Sequence, residues 1–385
     1  MNERNFDCAV VGAGIIGLAH AYWARRAGLS VAVIDRDRTA AGASVRNFGF
    51  VTVTGQQAGL TWRRARRSRE VWAAIAPRAG IDIVHRGLTV AARRPEALRC
   101  LEEFAAGPMG AGCRLLCAGE MAAPFRSGLA GGMHSPHELR VESRTAIPKL
   151  TAWLEAEGVV FLHGHAVRQV ETGLVETGAG SVRADHIVAC PGTDLVTLFP
   201  EVMARRRVGL CKLHMLRLAD PGWVLPSAVM SDLGLVRYLG YADCPGLPAL
   251  QARLAAEQAE HLADGVHLIV VQSADGSLVV GDSHHDVAAA DPFQPEAVDA
   301  RILDELGHVL DLPEPFVSER WVGFYPTGPE SAFVEAPAPG VRLVLITSGT
   351  GASTAFAIAE ETVADLLGRP VPSHVAGVSP QETAP

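Results

Sequence analysis

The chain has 385 residues, of which 48% are apolar and 20% charged, and its formal net charge is −8. That length exceeds one core of ordinary size, so two lobes are expected, and the composition excludes a disordered acidic chain or a coiled coil. The acidic balance argues against a nucleic-acid partner, and every apolar run is broken well before the ~18 residues that a membrane span needs.

The first element expected is a short buried strand, Cys8-Ala9-Val10-Val11. Gly12-Ala13-Gly14-Ile15-Ile16-Gly17 follows at once, then an Ala- and Leu-rich helix over residues 18–27, closed by Gly28. A second strand over residues 29–34 leads into Asp35 and Arg36. Gly12 permits a tight turn, Gly14 lets backbone amides approach a diphosphate, and Gly17 lets helix and strand pack closely. The exposed amides of the helix N-terminus, with Ile15, Ile16 and Gly17 just before it, suit a pyrophosphate, and the Asp35 carboxylate suits ribose hydroxyls. A glycine triplet alone is a weak signal. Strand, helix, second strand and acid in register make it strong.

This pattern does not choose between nicotinamide and flavin dinucleotides. The next segment, residues 41–55, does: it includes Ala43-Ser44-Val45-Arg46-Asn47-Phe48-Gly49 and is rich in small residues. A long cofactor lying extended across the domain needs such a close-fitting loop. Further on, residues 159–162 and 166–170 alternate apolar and polar, and residues 182–189 rise to Cys190-Pro191-Gly192. Near the end, an apolar strand over 341–346 leads into Thr347-Ser348-Gly349-Thr350-Gly351-Ala352-Ser353-Thr354 and a helix over 355–367. Such a helix start presents free amides and a positive dipole end.

In these features and their order the chain resembles the D-amino acid oxidase, glycine oxidase and sarcosine oxidase family over nearly its full length. The phrases Ala43–Gly49, Cys211-Lys212-Leu213, Arg237-Tyr238 and Gly281-Asp282-Ser283-His284 are similar to a bacterial subgroup associated with phosphonate breakdown. The resemblance implies an α/β fold: a Rossmann-like, glutathione-reductase-type FAD-binding domain interleaved with an α+β substrate domain on a mostly antiparallel sheet. It implies FAD contacts at Gly12–Gly17, Asp35, Arg36 and Ala43–Gly49, with Arg46 and Asn47 under the flavin or at its edge. It also implies an adenine contact near Val167, a turn at Gly192 under the cofactor, and an approach of residues 349–354 to the flavin ring. The expected FAD-binding domain comprises residues 1–85, 142–208 and 322–370. The substrate domain comprises 86–141 and 209–321, with strands over 213–218, 267–272 and 277–280. Residues 371–385 are read as a flexible tail.

The family usually carries an arginine in a Trp-x-Gly-x-Arg-Pro phrase that binds a substrate carboxylate. Here the phrase is Trp321-Val322-Gly323-Phe324-Tyr325-Pro326. Tyrosine has no charge at neutral pH, so an anionic group needs another anchor. Arg237, beside Tyr238, is the candidate, and a solvated strand arginine is the competing reading. Lys212 lies in an apolar stretch and needs a partner such as an anion. Of His284 and His285, one is expected in the pocket and the other outside, with the motif favouring His284. Arg63, Arg64, Arg66, Arg67 and Arg69 read as a solvated helix face, with a reach by some of them to the diphosphate or an anionic substrate as the competing reading. Trp62 and Trp72 read as core.

Seven cysteines, irregularly spaced and without a CxxC pair, read as free thiols in a reducing cytosol, and no metal site is expected. No signal-peptide pattern is read at the start, so a cytoplasmic location is expected. The positions at which relatives link flavin through Cys or His are empty, so FAD is expected to be dissociable.

The expected chemistry is hydride transfer from the carbon bearing nitrogen to flavin N5, followed by imine hydrolysis to an aldehyde, on 2-aminoethylphosphonate or its N-methyl form. Electrons then pass to oxygen or another acceptor; no general base is named. Three alternatives stand beside this: a glycine- or sarcosine-type oxidase, a flavin-holding subunit without turnover, and a nicotinamide-linked dehydrogenase. Oligomeric state is not legible.

Overall fold

A computed structural model describes residues 4–312 and 314–375. Two sheets organise them. The first runs in the order Ala332–Glu335, Val341–Ile346, Gly180–Ala189, Arg4–Val11, Val31–Asp35, Val160–His163. All but the first of these are parallel to their neighbours. The strands Val167–Glu171 and Leu174–Thr177 fold back antiparallel onto Gly180–Ala189. Cys8, Ala9 and Val10 are all buried, as consecutive residues must be when both faces of a sheet are covered.

One face is covered by the helices Ile15–Arg26, Leu60–Ile75 and Gly351–Leu366. Their seam is aromatic. Trp72 meets Phe356 edge-on at 5.2 Å and donates its indole N–H to the Ala352 carbonyl at 2.9 Å. Trp72 is core, as expected. Trp62 is only half-buried, with the Arg66 guanidinium 4.9 Å over its ring. The arginine run is not simply a solvated face: Arg64 pairs with Glu361, Arg67 pairs with Glu360, and Arg69 donates to the His137 carbonyl. The two ion pairs clamp the helix to its C-terminal partner, whose glutamates face it across the seam, and Arg69 ties it to the strand Gly131–Val141.

The second sheet has ten strands and is mostly antiparallel, with one parallel pair between Ala228–Met230 and Ile83–Ala92. The expected strands are present as Gly209–Leu218, Ile269–Gln272 and Leu278–Gly281. Phe50–Val51 and Val317–Thr327 also belong to this sheet. The expected edge at 321/322 therefore falls inside a continuous strand, and we propose that the substrate unit extends to residue 327. All seven cysteines are free. Of the expected tail, His374 bonds Glu361 at 2.9 Å, and residues 376–385 lie outside the described residues. No described helix is long and apolar enough to cross a membrane.

Candidate active site

Parallel strands place their carboxyl ends on one edge of a sheet, so Val11, Asp35, Ala189 and Ile346 deliver their following loops to the same place. The two glycine turns near the chain ends meet there. A Cβ added to Gly351 would lie 3.9 Å from Ile15 Cγ2. One long cleft results, lined by Gly12, Gly14, Ile15, Ile16, Gly17 and Asp35 at one end, by Val167 and Gly192 beside them, and by Tyr238, His284 and Tyr325 at the other.

The first turn is built for close approach. Gly12 has φ +102° and a Cβ there would lie 2.4 Å from the Cys190 carbonyl oxygen; one on Gly17 would lie 1.8 Å from the Gly12 carbonyl oxygen. The helix starts at Ile15, three residues earlier than expected, and Gly14 gives it no side-chain cap. The hydroxyl of Ser44 stands in, accepting the Ile15 N–H at 2.9 Å, and its own proton remains available to an anion. Asp35 accepts the Ala13 N–H at 2.5 Å and the Asp37 N–H at 2.7 Å, which orients its carboxylate at the strand end. Arg36 lines the cleft but its charge is already met by Asp194 at 3.0 Å.

Ala43, Ser44, Arg46, Asn47 and Phe48 line the cleft as well. Gly49 does not: its φ is +67°, and a Cβ there would lie 1.7 Å from the Val141 carbonyl oxygen, so it serves the packing of the loop on the second sheet. At the C-terminal turn, Gly349, Gly351 and Ala352 line the cleft, whereas Thr350, Ser353 and Thr354 do not. The helix begins at Gly351 rather than 355, and this winding turns their side chains inward. Ser353 Oγ accepts the Thr52 N–H at 2.8 Å, and Thr354 donates to the Thr350 carbonyl at 3.0 Å.

At the far end, Arg237 closes the short helix Leu233–Arg237 rather than a strand. It is exposed, and its Nη2 lies 3.5 Å from Tyr325 Oη. Burial of Tyr325 and Tyr238 raises both phenols well above their ordinary range, so both are neutral. His284 lines the cleft, and His285 instead lies beside His214, their ring centres 5.6 Å apart. Lys212 does not line the cleft. It is buried, but its ammonium is bonded to Asp291 at 2.6 Å and to the Phe293 carbonyl, so it is withdrawn as a substrate contact.

The sequence reading missed two residues of this end. His267 and Asp282 both line the cleft and are buried. Asp282 Oδ1 stands 3.2 Å from His267 Nδ1, and Oδ2 stands 3.8 Å from His284 Nε2. The signal was present: Asp282 is inside the quoted Gly-Asp-Ser-His phrase and His267 opens an expected strand.

The model of the DAO family, described as FAD dependent oxidoreductase, matches residues 7–365. The chain belongs to this family. FAD is its cofactor, and the lining is compatible with a long dinucleotide: close-packed glycines, a helix start and Asp35 at one end, and Gly349, Gly351 and Ala352 of the C-terminal turn further along.

Solved structures share this flavoenzyme's fold. Glycine oxidase from Geobacillus kaustophilus is 18% identical, with a TM-score of 0.79 and 98% of each chain covered. Iminodiacetate oxidase (IdaA) from Chelativorans sp. BNC1 is 19% identical, with a TM-score of 0.74, covering 97% of this chain and 98% of the other. L-alpha-glycerophosphate oxidase from Mycoplasma pneumoniae, with FAD bound, is 16% identical, with a TM-score of 0.73 and 96% of each chain covered. No curated protein sequence matches the chain.

Proposed function

We propose that this oxidoreductase oxidises the C–N bond of a small amine that carries an anionic group, with 2-aminoethylphosphonate or its N-methyl derivative as the first candidate. One observation carries the reading. An exposed arginine, Arg237, which does not itself line the cleft, stands 3.5 Å from the lining Tyr325, and the cleft holds a buried carboxylate, Asp282; together they are the complement of a zwitterion. The names of glycine oxidase and iminodiacetate oxidase support an amine over an alcohol, whereas glycerophosphate oxidase shows that the fold is not restricted to amines.

The guanidinium of Arg237 holds the anionic group in a fork. Its neighbour Tyr325 accepts from Arg237 and keeps its phenolic proton for an anionic oxygen. Phe48, Leu213 and Ile269 line the same cleft and exclude water from the reacting carbon. Bound FAD supplies the acceptor for a hydride from the carbon bearing nitrogen. The resulting imine takes up water and splits to an aldehyde and ammonia or methylamine. Dissociable, non-covalent FAD is part of the proposal, as is return of the electrons to oxygen or another acceptor.

The test is anaerobic mixing of the yellow protein with 2-aminoethylphosphonate, its N-methyl form, glycine, sarcosine and glycerol phosphate. Bleaching by the two phosphonates is expected. Bleaching by glycine or sarcosine alone would move the assignment to an amino acid oxidase, and bleaching by glycerol phosphate alone would reject an amine.

A further inference from the structure

Asp282 is an anomaly in its surroundings. It is 5% exposed, and its Oδ1 has no hydrogen-bond partner; the facing Nδ1 of His267 has none either. His284 Nδ1 lies 3.0 Å from the Gly265 carbonyl, so that nitrogen carries the ring proton and donates it. The neutral ring then presents a bare lone pair at Nε2, which faces Asp282 Oδ2 at 3.8 Å. Burial keeps both histidines neutral, pushing each well below its ordinary value, and the Arg237 charge adds to this. When Asp282 is ionised, a carboxylate and an imidazole lone pair thus confront each other with no proton between them. Polar atoms of His267, Asp282 and His284 all lie within 4.8 Å of one another, which describes a pocket for one small cationic donor.

Resting on the amine reading above, we propose that Asp282 and His284 Nε2 form the subsite for the substrate's ammonium group, and that the Asp282 carboxylate removes its proton. The N–H bond breaks, its electron pair stays on nitrogen, and the proton passes to an Asp282 oxygen, leaving the neutral amine whose lone pair assists C–H cleavage. His284 is the second acceptor, and His267 bounds the far side.

The surroundings suit this task. Burial raises the Asp282 carboxyl to about 7, while Arg237 opposes the shift. The other groups facing it are the neutral phenols Tyr238 and Tyr325 and the Cys211 thiol, which burial keeps protonated. A carboxylate of ordinary acidity is a poor base for an ammonium; one raised toward neutrality is a better one. The same pocket places the cationic end of a ligand deep in the cleft and leaves Arg237 for its anionic end, so zwitterions with both groups are preferred over simple alkylamines.

Two measurements on the holoenzyme test this. Analogues with two methyl groups on the nitrogen-bearing carbon have no hydrogen there and bind without reacting. Their affinity, read from the perturbed flavin absorption, is expected to exceed that of the deaminated analogue by about tenfold to a hundredfold. That advantage should grow as pH rises through about 7, where Asp282 ionises. D282N should lose both the advantage and its pH dependence while keeping FAD and binding the deaminated analogue as before. Equal affinity of the two analogues in the unaltered enzyme would overturn the proposal, as would an unchanged pH profile in D282N. So would one equivalent of metal in the purified protein. A substrate that bleaches the flavin while these tests fail would leave the amine reading standing without this subsite; no bleaching by any amine would remove the reading itself.

Discussion

The Nη2 of Arg237 lies 3.5 Å from the phenolic oxygen of Tyr325, although 88 residues separate them in the chain. The strand Val317–Thr327 carries the tyrosine and the helix Leu233–Arg237 the arginine, so a cation reaches the position of a phenol that has none of its own. The pair thereby restores charge where the sequence phrase around Tyr325 lacks it.

Arg237→Ala should therefore raise KM for substrates bearing a carboxylate or phosphonate by about tenfold to a hundredfold, the range expected for a charge-assisted hydrogen bond. KM for a simple alkylamine should hardly change. Steady-state kinetics on matched charged and uncharged amines checks this; an equal loss on both would point to a structural role for the arginine.

Gly17→Ala tests the cofactor end. Its Cβ would sit 1.8 Å from the Gly12 carbonyl oxygen, on backbone that cannot yield without opening the first turn. We expect colourless protein, read from the ratio of flavin to protein absorbance, with unfolding or a large loss of FAD affinity. Yellow protein with full FAD content would show that the turn does not hold the diphosphate.

Lys212→Met removes a buried ammonium whose bonds go to Asp291 and the Phe293 carbonyl. The expected cost is about 1–2 kcal/mol of stability, because Asp291 is partly exposed and regains water. KM for the amine should stay as it was. A selective rise in KM with unchanged thermal stability would return Lys212 to the substrate site.

Arg94→Met addresses the second lobe. The Arg94 guanidinium is 5% exposed and bonds Asp232, Glu257 and Gln258 at 2.7–2.9 Å. Removing it leaves the fully buried Asp232 charge with only the backbone N–H of Arg93 at 3.1 Å and that residue's more distant charge, at a cost of about 3–5 kcal/mol. Burial already raises Asp232 to about 6. Without the arginine it should rise further, so the folded state binds a proton more readily than the unfolded one, and stability falls with rising pH. The mutant's deficit in denaturant melts should therefore shrink as the medium is acidified toward about 5. A deficit independent of pH would mean that lost packing, not the stranded carboxylate, sets the cost.

The cofactor half was legible because it is local. Gly12, Gly14, Gly17 and Asp35 lie within one strand–helix–strand unit, and steric need for glycine at a tight turn leaves its mark at fixed spacing. That the turn at 349–354 would approach the same cofactor was implied by the family resemblance rather than by any local pattern. Helix starts were misplaced by three and four residues: Ile15 follows Gly14, which has no side chain to cap with, and Gly351 follows Thr350, whose side chain makes no capping bond.

The substrate half was legible only in part. Residue type and order pointed to a dinucleotide site at the glycine turns, to a tyrosine standing where a charge is usual, and to an anion as the partner of Lys212. Which anion it meets, and that His267, Asp282, His284 and Tyr325 gather at one end of a cleft with Arg237 beside Tyr325, was decided by the packing around the second sheet. Its antiparallel strands bring together residues far apart in sequence. The acidity of a carboxyl depends on the burial and neighbours this creates, and neither is a property of the chain taken one residue at a time.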